Sequence, residues 1–443
     1  MAHIAVIGAG VTGITTAYAL NRRGYDVVVL DQHRYSGMET SFANGGQISA
    51  CNAEVWNKAG TMMQGLRWML KPDAPLLMNP IPSWHKYSWI AEFILNTRNY
   101  RQNTIDTTRL AIEARNSMFA IAKEENIEFD LEHNGILHFY RDKASYEKAL
   151  QANELMHEGG LTDRRPVTPQ EIREIEPTLK GSYYGGLFTP SDSTGDIHKF
   201  TRGLADSCTR RGVQFIYDAE VERIVRKNGG FEVRWLPLGG DNDTATHLRR
   251  RIEVDAVVIC AGSASRRFAA MLGDRLNVYP VKGYSITVNL HTAESQKAAP
   301  TVGVVDDDAK IVTSRLGRDR FRVAGTAEFN GFNRDIRDDR IQPMIEWSRQ
   351  QFPHMATDRV VAWSGLRPMM PNMMPRVGPG RHPGVFYNTG HGHLGFTYSA
   401  ATAQRVAEAV QQAIPLTCHP VAADATVRAS KVEFAAAEGT LKS

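Results

Sequence analysis

The chain is poor in cysteine, and the few cysteines it has show no regular spacing. Only four occur in 443 residues, Cys51, Cys208, Cys260 and Cys418, and none forms a C-x-x-C pair. Structural zinc sites and disulfide-stapled domains both need regularly spaced cysteines. We therefore expect neither, and the sequence favours a reducing compartment. Cys260, inside the apolar run DAVVICAG, is predicted to be a small buried thiol.

Long apolar runs are also missing. No stretch approaches the roughly 18 consecutive apolar residues of a membrane-spanning helix. The strand-like run HIAVIG starts at residue 3 and leaves no room for a cleavable leader. We therefore expect a cytoplasmic protein. Peripheral attachment to the inner face of the cell membrane stays open, because sequence patterns indicate such attachment only weakly.

A strong excess of one charge is absent as well. The formal net charge of +4 is small for a chain of 443 residues, so nucleic acid is not an expected partner. The one dense basic run, HLRRR at 247–251, is predicted to be a solvated loop or strand edge. Partners are therefore sought among small molecules.

Glycine is abundant, with 37 residues, and one cluster has a specific order around it. Residues 3–31 predict a buried strand, a glycine turn, a helix and a second strand. The turn has G-x-G-x-x-G spacing at Gly8, Gly10 and Gly13, and Asp31 ends the second strand. This is the order of a dinucleotide-binding unit, in which the helix N-terminus faces the pyrophosphate.

The kind of dinucleotide depends on the rest of the chain. His33 and Arg34 follow the acid and would suit the ribose phosphate of NADP. Two further strand-to-glycine turns, DAVVICAG and NTGHGHLGFT (388–397), favour a flavin instead, because a nicotinamide dinucleotide does not need three such turns. The last turn opens a helix whose N-terminus suits the anionic edge of a reduced flavin ring.

The remaining patterns predict an α/β fold with two interleaved domains. Residues 51–130 are predicted to be mostly helical, and short strands from 279 onward predict an antiparallel sheet. Residues 213–225 and 252–262 are each predicted to be one strand. The expected division is a Rossmann-like FAD-binding domain (1–50, 190–278 and 362–415), a substrate-binding domain with α+β character (51–189 and 279–361), and a loosely attached tail (416–443).

Six ordered motifs carry a resemblance to a known family. They are GAGVTG, ETSFANGGQIS (39–49), DSTGD (192–196), YPVKGYSIT (279–287), GLRP (365–368) and NTGHGHLGFT. Together they resemble the FAD-dependent D-amino acid oxidase superfamily, and within it the small-subunit type of bacterial D-amino acid dehydrogenase. The similarity extends over roughly residues 1–415. It implies non-covalent FAD, although Cys51 lies just beyond the second motif.

The resemblance also implies which residues contact the cofactor. For the ADP half and the adenine these are Gly8, Gly10, Val11, Thr12, Gly13, Asp31, Gln32, Val221, Ala261 and Gly262. For the loop beside the flavin they are Thr40, Ser41, Ala43, Asn44, Gly45, Gly46 and Gln47. For the pyrimidine end they are Gly365, Arg367, Gly390, His391, Gly392, Leu394, Gly395, Phe396 and Thr397.

Three residues are candidates for the substrate side. Arg367 is expected to hold a substrate carboxylate, since a guanidinium binds it in a bidentate, orienting manner. The alternative is an ion pair with an internal acid. Tyr284 either adds a hydroxyl to that carboxylate or packs on the flavin, and Lys282 is as readily a solvated strand residue as a part of this site. His391 is expected to contact the flavin; no metal site is predicted, because H-x-H lacks a third ligand.

The implied activity is oxidative deamination of a D-amino acid. Hydride passes from Cα to flavin N5, the imino acid hydrolyses to a 2-oxo acid and ammonia, and a quinone or dye-type acceptor takes the electrons. Three alternatives stay open: an oxygen-using oxidase of glycine, sarcosine or another secondary amine; a dehydrogenase of proline-type imino acids; and an FAD-holding binding or RNA-modifying protein.

The segment RPMMPNMMPRVG departs from the resembled family. The relatives more often have R-P-x-T-P-D-G-x-P, so that Met370, Asn372 and Met373 stand in place of Thr, Asp and Gly. Methionine adapts to irregular gaps, so we expect these side chains to pack beneath the flavin or to form an apolar pocket rim. Copper binding by the thioethers is the less favoured alternative.

Overall fold

The computed structural model describes residues 2–58, 76–238 and 249–416, together with the backbone of Glu433–Phe434. Its strands are β1 (His3–Ile7), β2 (Asp26–Leu30), β3 (Gln47–Ile48), β4 (Leu76–Met78), β5 (Ile136–Tyr140), β6 (Arg165–Val167), β7 (Gly185–Thr189), β8 (Ser193–Thr194), β9 (Gln214–Ile216), β10 (Ala219–Lys227), β11 (Gly230–Pro237), β12 (Arg250–Val254), β13 (Ala256–Ile259), β14 (Tyr279–Asn289), β15 (Gly303–Asp306), β16 (Ile311–Leu316), β17 (Arg320–Phe329), β18 (Val360–Met369), β19 (Arg376–Pro379), β20 (Val385–Thr389) and β21 (Glu433–Phe434).

The α-helices in the same residues are α1 (Val11–Asn21), α2 (Trp84–Leu95), α3 (Tyr100–Glu124), α4 (Lys143–Glu158), α5 (Pro169–Ile175), α6 (Ile197–Arg210), α7 (Ser265–Met271), α8 (Ala293–Ala298), α9 (Asp338–Gln351) and α10 (Gly395–Ala413). Short 3-10 helices occupy Asn96–Asn99, Gly262–Ala264 and Gly392–Leu394. The mostly helical character predicted for 51–130 is confirmed for the described part of that range.

The predicted dinucleotide-binding unit forms the centre of a six-stranded sheet. The strand order is β19-β20-β13-β1-β2-β9, and β1 pairs in parallel with both β2 and β13. The apolar run of β1 is buried because helices cover the sheet, as parallel sheets require. Helix α1 packs with α10 and α6 in a core that includes Ile14, Phe200 and Val406.

Two of the predicted single strands were wrong, since each changes sheet partway. Residues 213–225 contain β9, which joins the parallel sheet, and β10, which pairs antiparallel with β11. The chain turns between them at Asp218, whose φ is +49°. Likewise 252–262 contain β12, paired with β11, and β13, paired with β1. In each run a single aspartate, Asp218 or Asp255, stands at the break between strand-like residues, and the sequence pattern alone did not mark it as a change of sheet.

A second, larger sheet has nine strands within the described residues. Its order is β18-β14-β17-β16-β15-β5-β7-β6, with β4 paired to β17. Most pairs are antiparallel, as predicted, but β5–β15 and β4–β17 are parallel. Strand β14 pairs with β18 from Tyr279 opposite Met369 to Val288 opposite Val360, so the predicted domain boundary at 362 falls inside β18. The domain division stays a prediction.

Two predictions concern residues at the limits of the description. In the tail 416–443, Leu416 is described, residues 417–432 and 435–443 lie outside the described residues, Cys418 among them, and the backbone of Glu433–Phe434 pairs with β12. Residues 247 and 248 of the basic run also lie outside. Among the helices of the described ranges, none combines the length and the apolar character needed to cross a membrane.

Candidate active site

One cavity of about 930 Å³ lies between the two sheets. Its wall combines the carboxyl ends of β1 and β2, represented by Gly8 and Asp31, with Gly325 and Thr326 of β17. Ligands of open parallel sheets bind at this end of the strands, where neighbouring connections diverge. The cavity is therefore the candidate active site.

The glycines of the first turn allow a backbone approach that no other residue could make. Gly8 has φ +109°, and a Cβ there would lie 2.7 Å from the Cys260 carbonyl oxygen. A Cβ on Gly13 would overlap the Gly8 carbonyl oxygen, so helix α1 can lie against the turn only with glycine at this position. The N-terminus of α1 begins at Val11 and borders the cavity.

Asp31 faces the same cavity at the end of β2. Its carboxylate accepts hydrogen bonds from the backbone N–H of Ala9 at 2.6 Å and of His33 at 2.8 Å. Burial raises the pKa of Asp31, and the two backbone hydrogen bonds partly offset this effect. His33 bonds Glu39 at 2.8 Å, so its ring is already paired.

The loop at residues 40–47 is held by the large sheet and by α1. The Thr40 hydroxyl donates to the Leu366 carbonyl of β18 at 2.8 Å, and Ser285 of the neighbouring strand β14 donates to the Ala43 carbonyl at 2.7 Å. At the start of α1, the backbone N–H of Val11 donates to the Ser41 hydroxyl at 3.0 Å. These bonds fix the loop as a rigid part of the cavity wall.

Most residues predicted to contact the cofactor line this cavity. They are Gly8, Gly10, Val11, Thr12, Asp31, Gln32, Thr40, Ser41, Ala43, Asn44, Gly45, Gln47, Val221, Ala261, Gly262, Gly365, Arg367, His391, Gly392, Leu394, Gly395 and Phe396. Four other predicted residues do not line the cavity themselves and lie behind those that do: Gly13, Gly46, Gly390 and Thr397. Thr397, for example, accepts from Ser49 N–H at 3.0 Å and so supports the loop.

The two histidines of the last turn are held neutral by their surroundings. The His391 ring bonds the Thr402 hydroxyl at 2.9 Å, and burial lowers its pKa to about 3. His393 bonds the Asn52 carbonyl at 3.0 Å and stacks on Trp56. Burial lowers its pKa to about 4, and the charge of Arg367 adds to this. Because the His391 ring points at α10, the residue meets the cavity mainly through its place in the turn.

Arg367 lies deep in the protein, and its accessible surface faces the cavity. Its guanidinium donates to the carbonyl oxygens of Thr326 at 2.8 Å and Gly325 at 3.4 Å. In residues 2–58, 76–238 and 249–416, no carboxylate lies within 4 Å of it. A Cβ on Gly283 would overlap this guanidinium, so the glycine provides its space. Burial lowers the pKa of Arg367 to about 10, which leaves it charged at neutral pH.

Tyr284 and Lys282 belong to a buried ionic cluster beside the cavity. The Tyr284 hydroxyl lies 3.3 Å from Glu328, and Lys282 pairs with the same carboxylate at 3.1 Å. Of the two alternatives for Lys282, the solvated one is wrong, since the side chain is fully buried. Strand alternation alone could not show that α9 covers this face and brings Arg340 to Glu328.

Several polar residues of the cavity wall were not predicted. His138 on β5 lies 3.3 Å from the Cys51 sulfur and 3.1 Å from the Asp307 carboxylate. Glu54 and Arg164 also line the cavity. The only sequence signal was weak: His138 and Tyr140 alternate on one face of a strand that reads as apolar, GILHFYR.

The methionine-rich segment packs and does not line the cavity. Met369 and Met373 are buried in a core cluster with Trp89 and Tyr279, and Met370 packs against the third glycine turn at Gly390. Met373 has φ +61°, the left-handed conformation that glycine adopts without strain. The described part of the chain contains no group of three His, Cys, Asp or Glu side chains arranged for a metal ion.

A family model supports what the geometry indicates. The model of FAD-dependent oxidoreductases of the DAO type matches residues 3–409. The chain belongs to this family. The match covers every strand of the two large sheets, so the family fold includes the whole cavity of this FAD-dependent oxidoreductase.

The named proteins to which the chain is similar are consistent with this family. The chain is 59% identical over 416 residues to D-amino acid dehydrogenase 3 of Mesorhizobium japonicum, covering 94% of this chain and 98% of the relative. It is 38% identical to D-amino acid dehydrogenase of Paramagnetospirillum magneticum, covering 92% and 94%. Among solved structures, glycine oxidase from Geobacillus kaustophilus has a TM-score of 0.71 at 19% identity, covering 93% and 95%. L-proline dehydrogenase from P. horikoshii has a TM-score of 0.71 at 16% sequence identity, and the match covers 93% of each chain. The two structures show a shared fold.

The residues of this oxidoreductase fit FAD. Gly8, Gly10 and the N-terminus of α1 at Val11 line the cavity, where backbone N–H groups would suit a pyrophosphate, and the Asp31 carboxylate lines it where a ribose would lie. The N-terminus of α10, reached through Gly392–Leu394, borders the opposite end of the cavity. The elongated cavity therefore provides complementary groups at both ends of the cofactor.

Proposed function

We propose that the chain oxidises D-amino acids to 2-oxo acids and ammonia. The observation that carries the proposal is Arg367, a guanidinium in the cavity wall without a carboxylate partner among the described residues. A buried cation of this kind is costly unless an anion pairs with it. A substrate carboxylate supplies that anion, and the names of the relatives supply the class of substrate.

Each group of the chain has a role in this reaction. Arg367 binds and orients the carboxylate, and the adjoining His393 is neutral, so it adds no competing charge. Bound FAD supplies the acceptor for the hydride that leaves Cα. The loop at 40–47 and the turn at 390–397 hold the two reactants in contact and exclude water, which is where most of the rate enhancement of such a transfer arises.

The cofactor residues inferred from the motifs belong to the proposal. Gly8, Gly10 and Asp31 would hold the ADP half, and the loop at 40–47 with the turn at 390–397 would hold the flavin. The domain division belongs to it too: segments 1–50, 190–278 and 362–415 bind FAD, and segments 51–189 and 279–361 bind substrate.

The experiment that tests the proposed function is anaerobic reduction of the flavin. The purified FAD-loaded protein is mixed with a panel of D- and L-amino acids, glycine, sarcosine and proline-type imino acids, and bleaching near 450 nm is followed. We expect several D-amino acids to reduce the flavin faster than their L-enantiomers. Faster reduction by glycine, sarcosine or an imino acid would favour the alternative substrates, and no reduction by any amine would refute the proposal.

The electron acceptor is proposed to be a quinone or dye-type acceptor. The relatives are named dehydrogenases, which supports this choice over oxygen. Oxygen consumption and dye reduction, measured with the same D-amino acid, separate the two acceptors. An oxygen rate equal to the dye rate would contradict the proposal.

Contact with the membrane surface is proposed for the outer face of α2. Trp84 is 83% exposed and Leu95 62% exposed, and Tyr87 and Ile94 lie on the same face. The acid on this helix, Glu92, is paired with Arg275. Exposed tryptophan and tyrosine favour the interface of a bilayer. Co-sedimentation with anionic vesicles should fall when Trp84 and Leu95 are replaced by serine, and unchanged binding would contradict this contact.

A further inference from the structure

The cavity has a lobe on the side away from the glycine turns. Its wall is formed by residues from the segment after β3, from β5, from α4 and from the loop before β6. We call it the Arg164 lobe; it is lined by Cys51, His138, Tyr140, Ala152, Met156 and Arg164. None of the family motifs of the sequence lies in this lobe.

Arg164 is a buried cation without an anion. Arg164 is only 5% exposed. One terminal nitrogen of its guanidinium donates a hydrogen bond to the Met156 sulfur at 3.0 Å. Its Nε has no hydrogen-bond partner, and among the residues that the structure describes no carboxylate lies within 4 Å. A guanidinium buried in this state is unfavourable by several kcal/mol unless a ligand pairs with it.

The acids around the lobe are already paired with other groups. Asp307 bonds His138 at 3.1 Å and lies 3.8 Å from Lys310. Asp306 pairs with both terminal nitrogens of Arg141 and accepts from Trp347 at 2.8 Å. The positive charge of Arg164 is therefore the one in this lobe that lacks a close partner within the described residues.

The shape of the lobe suits a small carboxylate with a short side chain. Ala152 and Met156 supply an apolar surface next to the guanidinium. Exposed Lys148 and Gln151 of α4 border the cavity, so the lobe reaches solvent there. The exposed Phe332 borders the cavity as well, on a different segment of the chain.

We propose that the Arg164 lobe binds a small carboxylate of the 2-oxo acid class, in addition to the carboxylate held by Arg367. The inference rests on the proposed function, which makes a 2-oxo acid the product. In this arrangement the product passes Arg164 before it leaves beside Lys148. The charge of Arg164 contributes to the lowered pKa of His138, after burial, so an anion in the lobe would also ease protonation of that histidine.

Equilibrium dialysis of the oxidised, FAD-loaded protein against radiolabelled pyruvate tests the proposal. We expect two pyruvate molecules per chain in the parent protein and one in each of the variants Arg164→Gln and Arg367→Gln. The double variant should bind none. Pyruvamide, which has the same shape and no charge, is the matched ligand control and should bind to neither site.

The outcomes separate this inference from the proposed function. One pyruvate in the parent protein that is retained in Arg164→Gln, or two in Arg164→Gln, would overturn the lobe assignment. One pyruvate in the parent protein that is lost in Arg164→Gln but kept in Arg367→Gln would leave the lobe standing and refute the role of Arg367. Two pyruvates in Arg367→Gln but one in Arg164→Gln would leave the lobe standing and refute the role of Arg367. If Arg164→Gln fails to fold, Arg164→Lys, which keeps the charge, replaces it and should retain weaker binding. The count in Arg367→Gln then decides, since no bound pyruvate in that variant would overturn the lobe.

Inhibition by the product gives a second measurement on the same variants. A lobe distinct from Arg367 makes pyruvate a mixed inhibitor against a D-amino acid in the parent protein. In Arg164→Gln the inhibition should become purely competitive. Mixed inhibition that persists in Arg164→Gln would count against the lobe.

Discussion

Gly283 determines where the guanidinium of Arg367 can lie. The two residues lie on paired strands. Val281 is directly opposite Arg367 in the β14–β18 register, and Gly283 lies two positions further along β14 on the same face of the sheet. The missing side chain of Gly283 is filled by the guanidinium itself. Gly283 therefore supports the role of Arg367 by leaving space for its guanidinium.

Removal of the guanidinium tests this residue directly. Arg367→Gln should lower kcat/KM for a D-amino acid on the order of 100-fold, because two charge-assisted hydrogen bonds of about 1.5 kcal/mol each are lost. FAD content and absorbance should match those of the parent protein. Steady-state kinetics with a dye acceptor measure the change, and unaltered kinetics would refute the carboxylate role.

Gly283→Ala should raise the KM for the D-amino acid and so lower kcat/KM, as Arg367→Gln does, since the new methyl group displaces the guanidinium. In a double-mutant cycle, adding Gly283→Ala to Arg367→Gln should cause little further loss, because the displaced group is already absent. Additive effects in the cycle would show that Gly283 acts independently of Arg367.

At the scale of secondary-structure elements, the turn between β20 and α10 makes stability sensitive to acid. The folded protein holds His391 neutral, with a pKa of about 3, whereas the unfolded chain binds a proton near pH 6.5. Stability is therefore fully present above about pH 6.5 and is lost as the pH falls toward 3.

His391→Asn removes this dependence, because asparagine does not titrate. Between pH 8 and pH 5 the parent protein should lose about 2 kcal/mol more unfolding free energy than the variant. Urea unfolding at both pH values measures the difference. The lost hydrogen bond to Thr402 affects both pH values alike and cancels, and equal pH slopes in the two proteins would contradict the prediction.

The buried ionic cluster connects β14, β17 and α9. Glu328 pairs with Lys282 and Arg340, and all three are at most 2% exposed. Glu328→Gln leaves two cations in the interior, so we expect a loss of about 3–5 kcal/mol in unfolding free energy. Urea unfolding of the FAD-loaded protein measures it.

Glu232→Gln is the matched control for this cluster. Glu232 is 1% exposed and pairs with Arg234 on β11, but that arginine side chain is 40% exposed. The cation can turn to water when the acid is lost, so the expected destabilisation is about 1 kcal/mol. Similar losses in the two variants would show that burial of the partner cations is not the deciding factor.

At the scale of the whole molecule, the two sheets are linked too closely to unfold separately. The chain passes between them several times, and the loop at 40–47 is bonded to Val11 of α1 through Ser41 and to Ser285 of β14 through Ala43. We expect one cooperative transition, with tryptophan fluorescence and FAD release changing at the same midpoint. Excess FAD should raise that midpoint, since the ligand binds the folded state.

Two separated midpoints would contradict this prediction. In that case the large sheet, which contains β14–β18, would be an independent folding unit. Circular dichroism, recorded alongside tryptophan fluorescence and FAD release, shows whether an unfolding intermediate is populated.

The sequence by itself determined the dinucleotide-binding unit, the family and the candidate carboxylate residue. Buried strands, a glycine turn and helical spacing are local patterns, so residues 3–31 could be predicted at full length. Asp31 and Arg367 are recognisable for the same reason, since each lies within a motif of adjacent residues.

Only the tertiary structure decided what lies across the cavity from those motifs. Whether an apolar run such as 252–262 stays in one sheet depends on which strands pair with it, and those partners are distant in the chain. The burial of Lys282 depends on α9, and the unpaired state of Arg164 depends on where every carboxylate around it points. Pairing and burial of charges are properties of the assembled interior, so no local pattern in the sequence could reveal them.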